Sequence, residues 1–129
     1  MIQRLTLPDF PHPVTARTLS PNGRAHWRTR NQAVQDVHEY VWFYAKQQHL
    51  SQMRGRIKMY PKFVYPNHRK RDDDNLATGI LKAARDCLVR GGWLAADDMA
   101  ALRQMPVEVS VEKGRRELIL EFELLDPAS

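Results

Sequence analysis

The amino-acid sequence predicts an α+β fold, a single compact domain over residues 1–129 in which two main helices pack on a mixed β-sheet. The length of 129 residues suits one domain and leaves little room for a second core. Some segments repeat apolar residues at the spacing of a helix, and others alternate apolar and polar residues as half-buried strands do. Their order is strand, loop, helix, strand, helix, strand, strand, which is typical of α+β domains.

The first half of the chain is expected to contain a strand, a loop and an amphipathic helix. Residues 1–7 alternate well enough for a strand, and prolines at positions 8, 11 and 13 then stop regular pairing. Pro21, Asn22 and Gly23 signal a turn within the loop. Residues 32–50 are predicted to be helical, because these apolar side chains recur on one face: Val34, Val37, Val41, Tyr44 and Ala45.

The second half is expected to add three strands. Residues 56–65 alternate as a strand, although Pro61 suggests an edge position or a bulge. Residues 105–111 and 118–124 alternate again, and the turn residues Lys113 and Gly114 between them predict a hairpin. The last strand is expected to bury its apolar face, which consists of Leu118, Leu120, Phe122 and Leu124.

A second helix is predicted between the strand at 56–65 and the hairpin. It starts at Asp74 or Asn75, which are good N-cap residues, and ends at the glycine pair 91–92, a natural C-cap. Gly79 within it costs about 1 kcal/mol relative to alanine and is interpreted as tolerated, in preference to a point where another backbone approaches closely. The apolar stripe consists of Leu76, Ile80, Ala83, Ala84, Cys87 and Leu88.

The composition favours a polyanionic partner and argues against several other classes of protein. The formal net charge is +5 and the sequence pI is about 9.7, so nucleic acid is the leading partner and an acidic membrane surface the weaker one. No apolar run is long enough to span a bilayer and no signal peptide is recognisable, which predicts a cytoplasmic protein without a membrane partner. Cys87 is the single cysteine, so disulfide and zinc chemistry are set aside and a buried thiol is expected.

An acidic cluster follows a basic run at the junction of a predicted strand and helix. The cations His68, Arg69, Lys70 and Arg71 precede three carboxylates at 72–74. If the backbone is extended as far as Asp74, the Asp72 and Asp74 side chains point to the same side. Converging carboxylates repel unless a cation compensates, and Mg²⁺ prefers carboxylate and water oxygens, so phosphodiester hydrolysis is indicated. The alternative is a solvated turn whose last aspartate caps the second helix.

A second acidic pair lies beyond the second helix. Asp97 and Asp98 follow the glycine pair, and an antiparallel return of the chain is expected to bring them beside Asp72 and Asp74. The alternative is another helix cap, before residues 99–102.

These motifs, in this order and spacing, resemble the RusA family of Holliday junction resolvases. The match runs through Arg-Asp-Asp-Asp-Asn-Leu at 71–76, Asp-Cys-Leu at 86–88, Gly-Gly-Trp-Leu at 91–94 and Asp-Asp at 97–98, and the Pro-Asn turn at 21–22 resembles the family's N-terminal segment. The resemblance covers residues 19–124. It implies a RusA-like fold and a homodimeric, Mg²⁺-dependent endodeoxyribonuclease, with Mn²⁺ as a substitute, that resolves four-way DNA junctions by paired symmetric nicks. Such proteins act in DNA recombination and repair, and many are encoded by phages or prophages.

The resemblance also implies roles for individual residues. Asp72, Asp74 and Asp98 occupy the places of the essential metal-binding carboxylates, and Asp97 matches the accompanying acid. Asn75 either caps the helix or orients a metal ligand. The family lysine lies about one turn beyond the second aspartate, where this sequence has Thr78; Lys82 is a further turn along and is either the catalytic lysine or a solvated partner of Asp86.

Basic residues near both motifs are candidates for phosphate contacts, with an ordinary solvated basic face as the alternative. Trp27 either stacks on an unpaired base or packs on the core, and packing on the core is preferred. Two rival functions stay open, a non-catalytic DNA-binding protein and an RNA-directed nuclease. The apolar edge strand and the Gly79 face of the second helix are two surfaces for the expected homodimer. The DNA-binding candidates are Arg24, Arg28, Arg30, His68, Arg69, Lys70 and Arg71.

Overall fold

A mixed five-stranded sheet with two helices packed on it forms the fold, as the sequence predicts. The computed structural model describes residues 2–12, 18–19, 27–67, 73–95 and 101–125, and for residues 73–77 the backbone alone. The helices are α1 (Trp27–Gln47) and α2 (Asp73–Arg90). The strands are β1 (Ile2–Pro8), β2 (Ile57–Tyr65), β3 (Leu102–Gln104), β4 (Glu108–Val111) and β5 (Glu117–Leu124).

The sheet has β5 in an inner position between β1 and β2, and it pairs antiparallel with both. On its other side β2 pairs in parallel with β3 near its start and with β4 near its end, so β3 and β4 follow each other along one edge. The strand β3 was not predicted from the sequence. The predicted hairpin of residues 105–111 and 118–124 is wrong, because β2 separates β4 from β5.

The chain places a proline in the middle of β2, which is an inner strand and not the predicted edge. Ile57 N donates to Ala101 O (3.0 Å) and Met59 O accepts from Met105 N (2.8 Å), so odd-numbered residues of β2 direct their backbone groups toward β3 and β4. The ladder to β3 ends at Met59 and the ladder to β4 begins at Lys62. Pro61, which has no backbone N–H to donate, therefore lies opposite the gap between β3 and β4. The proline costs neither ladder a hydrogen bond there.

The predicted apolar stripes of both helices face the core between the helices and one face of the sheet, although Val34 and Tyr44 of α1 are only half-buried. Val37, Val41 and Ala45 of α1 are buried, as are the described members of the α2 stripe from Ile80 to Leu88. The sheet contributes alternate residues to this core, which fits strands with one covered face. They include Leu5 and Leu7 of β1, Met59 and Phe63 of β2, and Leu118, Leu120 and Phe122 of β5.

The two helices run in the same direction. Cys87 Sγ of α2 donates to the His38 carbonyl oxygen of α1 (3.2 Å), and one turn further along the Trp42 ring lies 5.1 Å from the ring of Trp93, just after α2. At the end of α2, Gly92 adopts a φ of 81°, Gly92 N donates to Val89 O and Trp93 N donates to Leu88 O. This is the pattern of a Schellman C-cap, so the predicted end of the second helix is confirmed.

Gly79 is a point of close backbone approach, and the interpretation of this glycine as merely tolerated is wrong. A β-carbon built on Gly79 would overlap with the carbonyl oxygen of Leu19. Leu19 is itself 3% exposed, so the Gly79 face of α2 is covered by the protein's own chain. Leu19 therefore occupies the space in front of Gly79 that a second subunit would need.

Candidate functional site

Both helices begin at one end of the sheet, which we call the carboxyl end because β1 and β2 finish there at Pro8 and Tyr65. Pro8 and Val64 both lie opposite Glu117, the first residue of β5. Past the end of α1, Gln48 bonds with Thr6 and Ser51 with Gln3, so this helix descends along β1 from the carboxyl end. Because α2 runs parallel to α1, the N-termini of both helices lie at the carboxyl end.

The acid-bearing start of α2 therefore lies at the carboxyl end. The helix begins at Asp73, so Asp74 and Asn75 belong to its first turn and neither is the residue before it, as the N-cap prediction required. The premise that the backbone is extended through Asp74 is wrong for the same reason. Carboxylates in the first turn of a helix interact favourably with its dipole. This position is compatible both with acids that only stabilise the start of the helix and with acids that bind a metal ion.

Several predicted site residues lie outside the described part of the chain. These are Arg24, His68, Arg69, Lys70, Arg71, Asp72, Asp97 and Asp98. The roles proposed for them stay predictions, as do the roles of the Asp74 and Asn75 side chains. Within the described residues, no group of three or more histidine, cysteine, aspartate or glutamate side chains is arranged to hold a metal ion.

The segment with Asp97 and Asp98 is held at both ends beside the start of β2. Leu94 forms an isolated parallel bridge with Met53, and Ala101 O accepts from Ile57 N (3.0 Å). The first turn of α2 lies at the other end of this helix, about 24 Å along the axis from Asp74 to Arg90. The anchors at Leu94 and Ala101 therefore do not by themselves place Asp97 and Asp98 beside the first turn of α2. That the two acidic groups converge stays a prediction.

Lys82 is paired as the alternative interpretation expects. Its Nζ lies 3.9 Å from Asp86 Oδ2 one turn along α2; the lysine side chain is largely exposed and the aspartate side chain is partly exposed. An ion pair this long near the surface is weak, so Lys82 can leave Asp86 to contact another group. Thr78, at the family's lysine position, is also exposed.

Cationic and aromatic side chains mark the start of α1 at the carboxyl end. Trp27 is 61% exposed, so the expectation that it packs on the core is wrong, and the Arg28 guanidinium lies 5.3 Å from its ring centroid. Arg30 is half-buried and its Nη1 donates to Thr18 O (2.8 Å). Arg30 therefore tethers residues 18–19 to α1, a structural role that the sequence did not indicate.

The structure adds further cations to this end that the sequence analysis did not single out. Lys113 and Arg116 lie in the connection between β4 and β5, and the Arg116 guanidinium is 5.9 Å from the ring centroid of Tyr65. Local sequence could not reveal them, because the signal Lys113–Gly114 was assigned to a hairpin that the sheet does not form.

Two titratable groups, Cys87 and His38, lie where the two helices meet. Cys87 is buried, which confirms the expected buried thiol, and burial raises its pKa to about 11. Burial and then the charge of Arg90 lower the pKa of His38, while Asp86 and a hydrogen bond to the Ala83 backbone oppose this effect. Both groups thus take part in the contact between the two helices.

Comparisons with known proteins leave the family open. No protein-family model matches the sequence. An uncharacterized protein of Xylella fastidiosa (strain Temecula1 / ATCC 700964) is 34% identical over 79 residues, which are 58% of this chain and 48% of the relative. The chain thus spans about half the length of the relative that it matches. Separately, neither of the described helices is long and apolar enough to cross a membrane.

Proposed function

We propose that this protein is a Mg²⁺-dependent endodeoxyribonuclease of the RusA type, which resolves four-way DNA junctions by paired nicks. One observation carries the proposal: the acid-bearing first turn of α2 and the basic first turn of α1 lie at the same end of the sheet. Phosphates bound by cations would there lie beside carboxylates that can hold a metal ion. The order of the acidic and glycine motifs along the chain supports the same function.

The donor set suits the proposed ion. Asp72, Asp74 and Asp98 supply carboxylate oxygens, which Mg²⁺ and Mn²⁺ accept, and Mg²⁺ usually takes only one or two carboxylates from a site. A bound ion would activate water and offset the charge on the leaving oxygen. Arg28 at the start of α1 contacts phosphates, and Trp27, because it is exposed, is placed to stack on an unpaired base of the branched DNA.

The working unit is a homodimer, because a four-way junction has near two-fold symmetry and one acid cluster is needed for each of two strands. The Gly79 face is excluded by Leu19, and the backbone of Thr6 on edge strand β1 is already bonded by the Gln48 side chain. The other edge carries β4, in which Val109 is 43% exposed. We assign the subunit contact to β4, and we place the protein in the cytoplasm of a bacterium, encoded by the bacterium or a phage.

A matched pair of substitutions tests the catalytic assignment. We expect Asp74→Asn to keep its affinity for a four-way junction in Ca²⁺ buffer and to lose at least about 100-fold in Mg²⁺-dependent nicking, the scale of losing a positioned electrostatic group. Asp73→Asn makes the same change of charge one residue earlier, about 100° away around the helix, and should keep most of the activity. Near-native nicking by purified Asp74→Asn would reject the assignment. Binding without nicking by the wild type would favour the non-catalytic alternative.

A further inference from the structure

The connection between β4 and β5, residues 112–116, crosses over the carboxyl end of β2. It must do so because β4 lies on one side of β2 and β5 on the other. We call it the crossing turn. Glu112 N donates to the carbonyl oxygen of Tyr65, the last residue of β2 (2.9 Å), and Arg115 N donates to Glu112 O (3.0 Å). The turn is therefore fixed where the chain leaves β2 toward the acidic segment.

The crossing turn contains both a cation that is paired with carboxylates and cations that are not. The Arg115 guanidinium forms ion pairs with Glu112 and Glu117, so both acids of this region are used internally. Lys113 is exposed and has no ion-pair partner among the described residues, and Arg116 lies over the Tyr65 ring without a carboxylate in the described contacts. Residues 112–117 thus carry a net charge of +1, and Lys113 and Arg116 are the cations of this segment without a carboxylate partner in the described contacts.

The Arg116 contact gives this cation a defined position. Tyr65 is 3% exposed and stacks on Phe63, with ring centroids 5.9 Å apart, so the aromatic surface beneath the guanidinium is held by the core. A guanidinium stacked over an aromatic ring is held in one orientation, and its N–H donors point outward in its own plane, where they can hydrogen-bond a phosphate. The cation is therefore oriented before a ligand arrives.

The open face of the sheet offers a contrast. Lys58 lies opposite Glu123 in the β2–β5 register, and Arg4 Nη2 is 2.6 Å from Glu121 Oε1. Arg4, Lys58 and Lys62 of that face each lie beside an acidic residue on an adjacent strand, so their charges are largely offset there, whereas Arg103 of β3 lies beside Lys58. At the carboxyl end, Lys113 and Arg116 have no such carboxylate neighbour among the described ion pairs.

We propose that Lys113 and Arg116 of the crossing turn bind backbone phosphates of the DNA that occupies the carboxyl end. Since the turn lies over the end of β2 and α1 begins at the same end of the sheet, the DNA would meet cations of both the crossing turn and α1. The inference rests on the proposed function, and it assigns two further DNA-contacting residues that neither sequence motif contains.

Equilibrium binding to a labelled four-way junction in EDTA tests the inference without any cleavage. Each lost phosphate contact should reduce the slope of log affinity against log salt by about 0.9. We expect Lys113→Ala to lower the slope by about 0.9 and the double variant Lys113→Ala/Arg116→Ala by about 1.8, with affinity at least about 10-fold weaker at moderate salt. The matched control Lys58→Ala/Lys62→Ala removes the same charge from the open face of β2 and should keep the wild-type slope.

The outcomes separate this inference from the proposed function. Lys113→Ala alone keeps the test decisive if the double variant unfolds, because Lys113 is exposed and its loss should cost little stability. A wild-type slope for Lys113→Ala, or an equal loss in the control, would overturn the inference while leaving junction binding intact. A wild type that does not bind the junction at all would overturn the proposed function together with the inference.

Discussion

The carbonyl oxygen of Leu19 lies against the α-carbon of Gly79, so that the chain before α1 is seated on α2. Helix propensity alone would make Gly79→Ala stabilising by about 1 kcal/mol. The overlap of the new methyl group with backbone reverses the sign, because overpacking costs about 1–3 kcal/mol. We expect the free energy of unfolding in urea to fall by about 1 kcal/mol or more. An increase would show that Leu19 does not contact this glycine.

The interface between the helices should make stability depend on pH through His38. Its Nε2 is buried without a hydrogen-bond partner among the described residues, and burial lowers its pKa below the ordinary value of 6.5. The unfolded chain therefore binds a proton first as pH falls through 6.5, and the free energy of unfolding declines. Melting temperatures of the wild type should fall between pH 7.5 and 5.5.

Substitution isolates this histidine from the others. His38→Gln stays neutral, so its melting temperature should depend less on pH over the same range. His49→Asn removes an exposed histidine and should retain the wild-type dependence. Identical pH profiles for His38→Gln and the wild type would contradict the role given to His38.

The role of the lysine on α2 can be decided by comparing two exposed positions. If Lys82 leaves Asp86 to reach a phosphate, Lys82→Ala should slow junction nicking by about 10-fold or more, whereas Thr78→Ala should stay within about 2-fold of the wild type. Asp86→Asn frees the lysine and should not slow nicking. Near-native rates for both alanine variants would remove Lys82 from the mechanism and leave the surface ion pair as its role.

The oligomeric state follows from the proposed contact through β4. Sedimentation at micromolar concentration should give about twice the chain mass of 15.0 kDa. Val109→Glu places a charge on the exposed edge and should shift the protein toward the monomer, while Thr6→Glu on the opposite edge should not. A monomeric wild type that makes paired nicks within one binding event would contradict the dimer.

Local periodicity was sufficient to predict β1, β2, β5 and the core-facing stripes of both helices. An element with one buried face needs apolar residues at the spacing of that face, and this spacing can be read from the sequence. Which strands pair with each other could not be predicted in this way. Residues 105–111 and 118–124 are consecutive and joined by turn residues, yet β5 is inserted between β1 and β2 and β4 pairs with β2. Such pairing depends on contacts across the whole chain, which a local pattern does not contain.

Where the structure describes the candidate site, its geometry departs from the prediction. The acid cluster was expected at a strand-to-helix junction, and α2 does begin there, but at Asp73 and therefore without an extended Asp74. Trp27 was expected in the core because tryptophan is large and apolar, whereas the first turn of α1 holds it in solvent. Arg116 was not singled out because its aromatic partner Tyr65 is remote in sequence.

The central claim is metal-dependent cleavage of branched DNA, and incubation of the purified wild type with an end-labelled four-way junction tests it most directly. With Mg²⁺ or Mn²⁺ we expect symmetric, ligatable nicks in two opposing strands, no cleavage in EDTA, and at most weak cleavage of a linear duplex of the same sequence or of an RNA hairpin. Junction DNA that is bound yet stays intact with either metal, or preferential cleavage of the RNA hairpin, would contradict the claim.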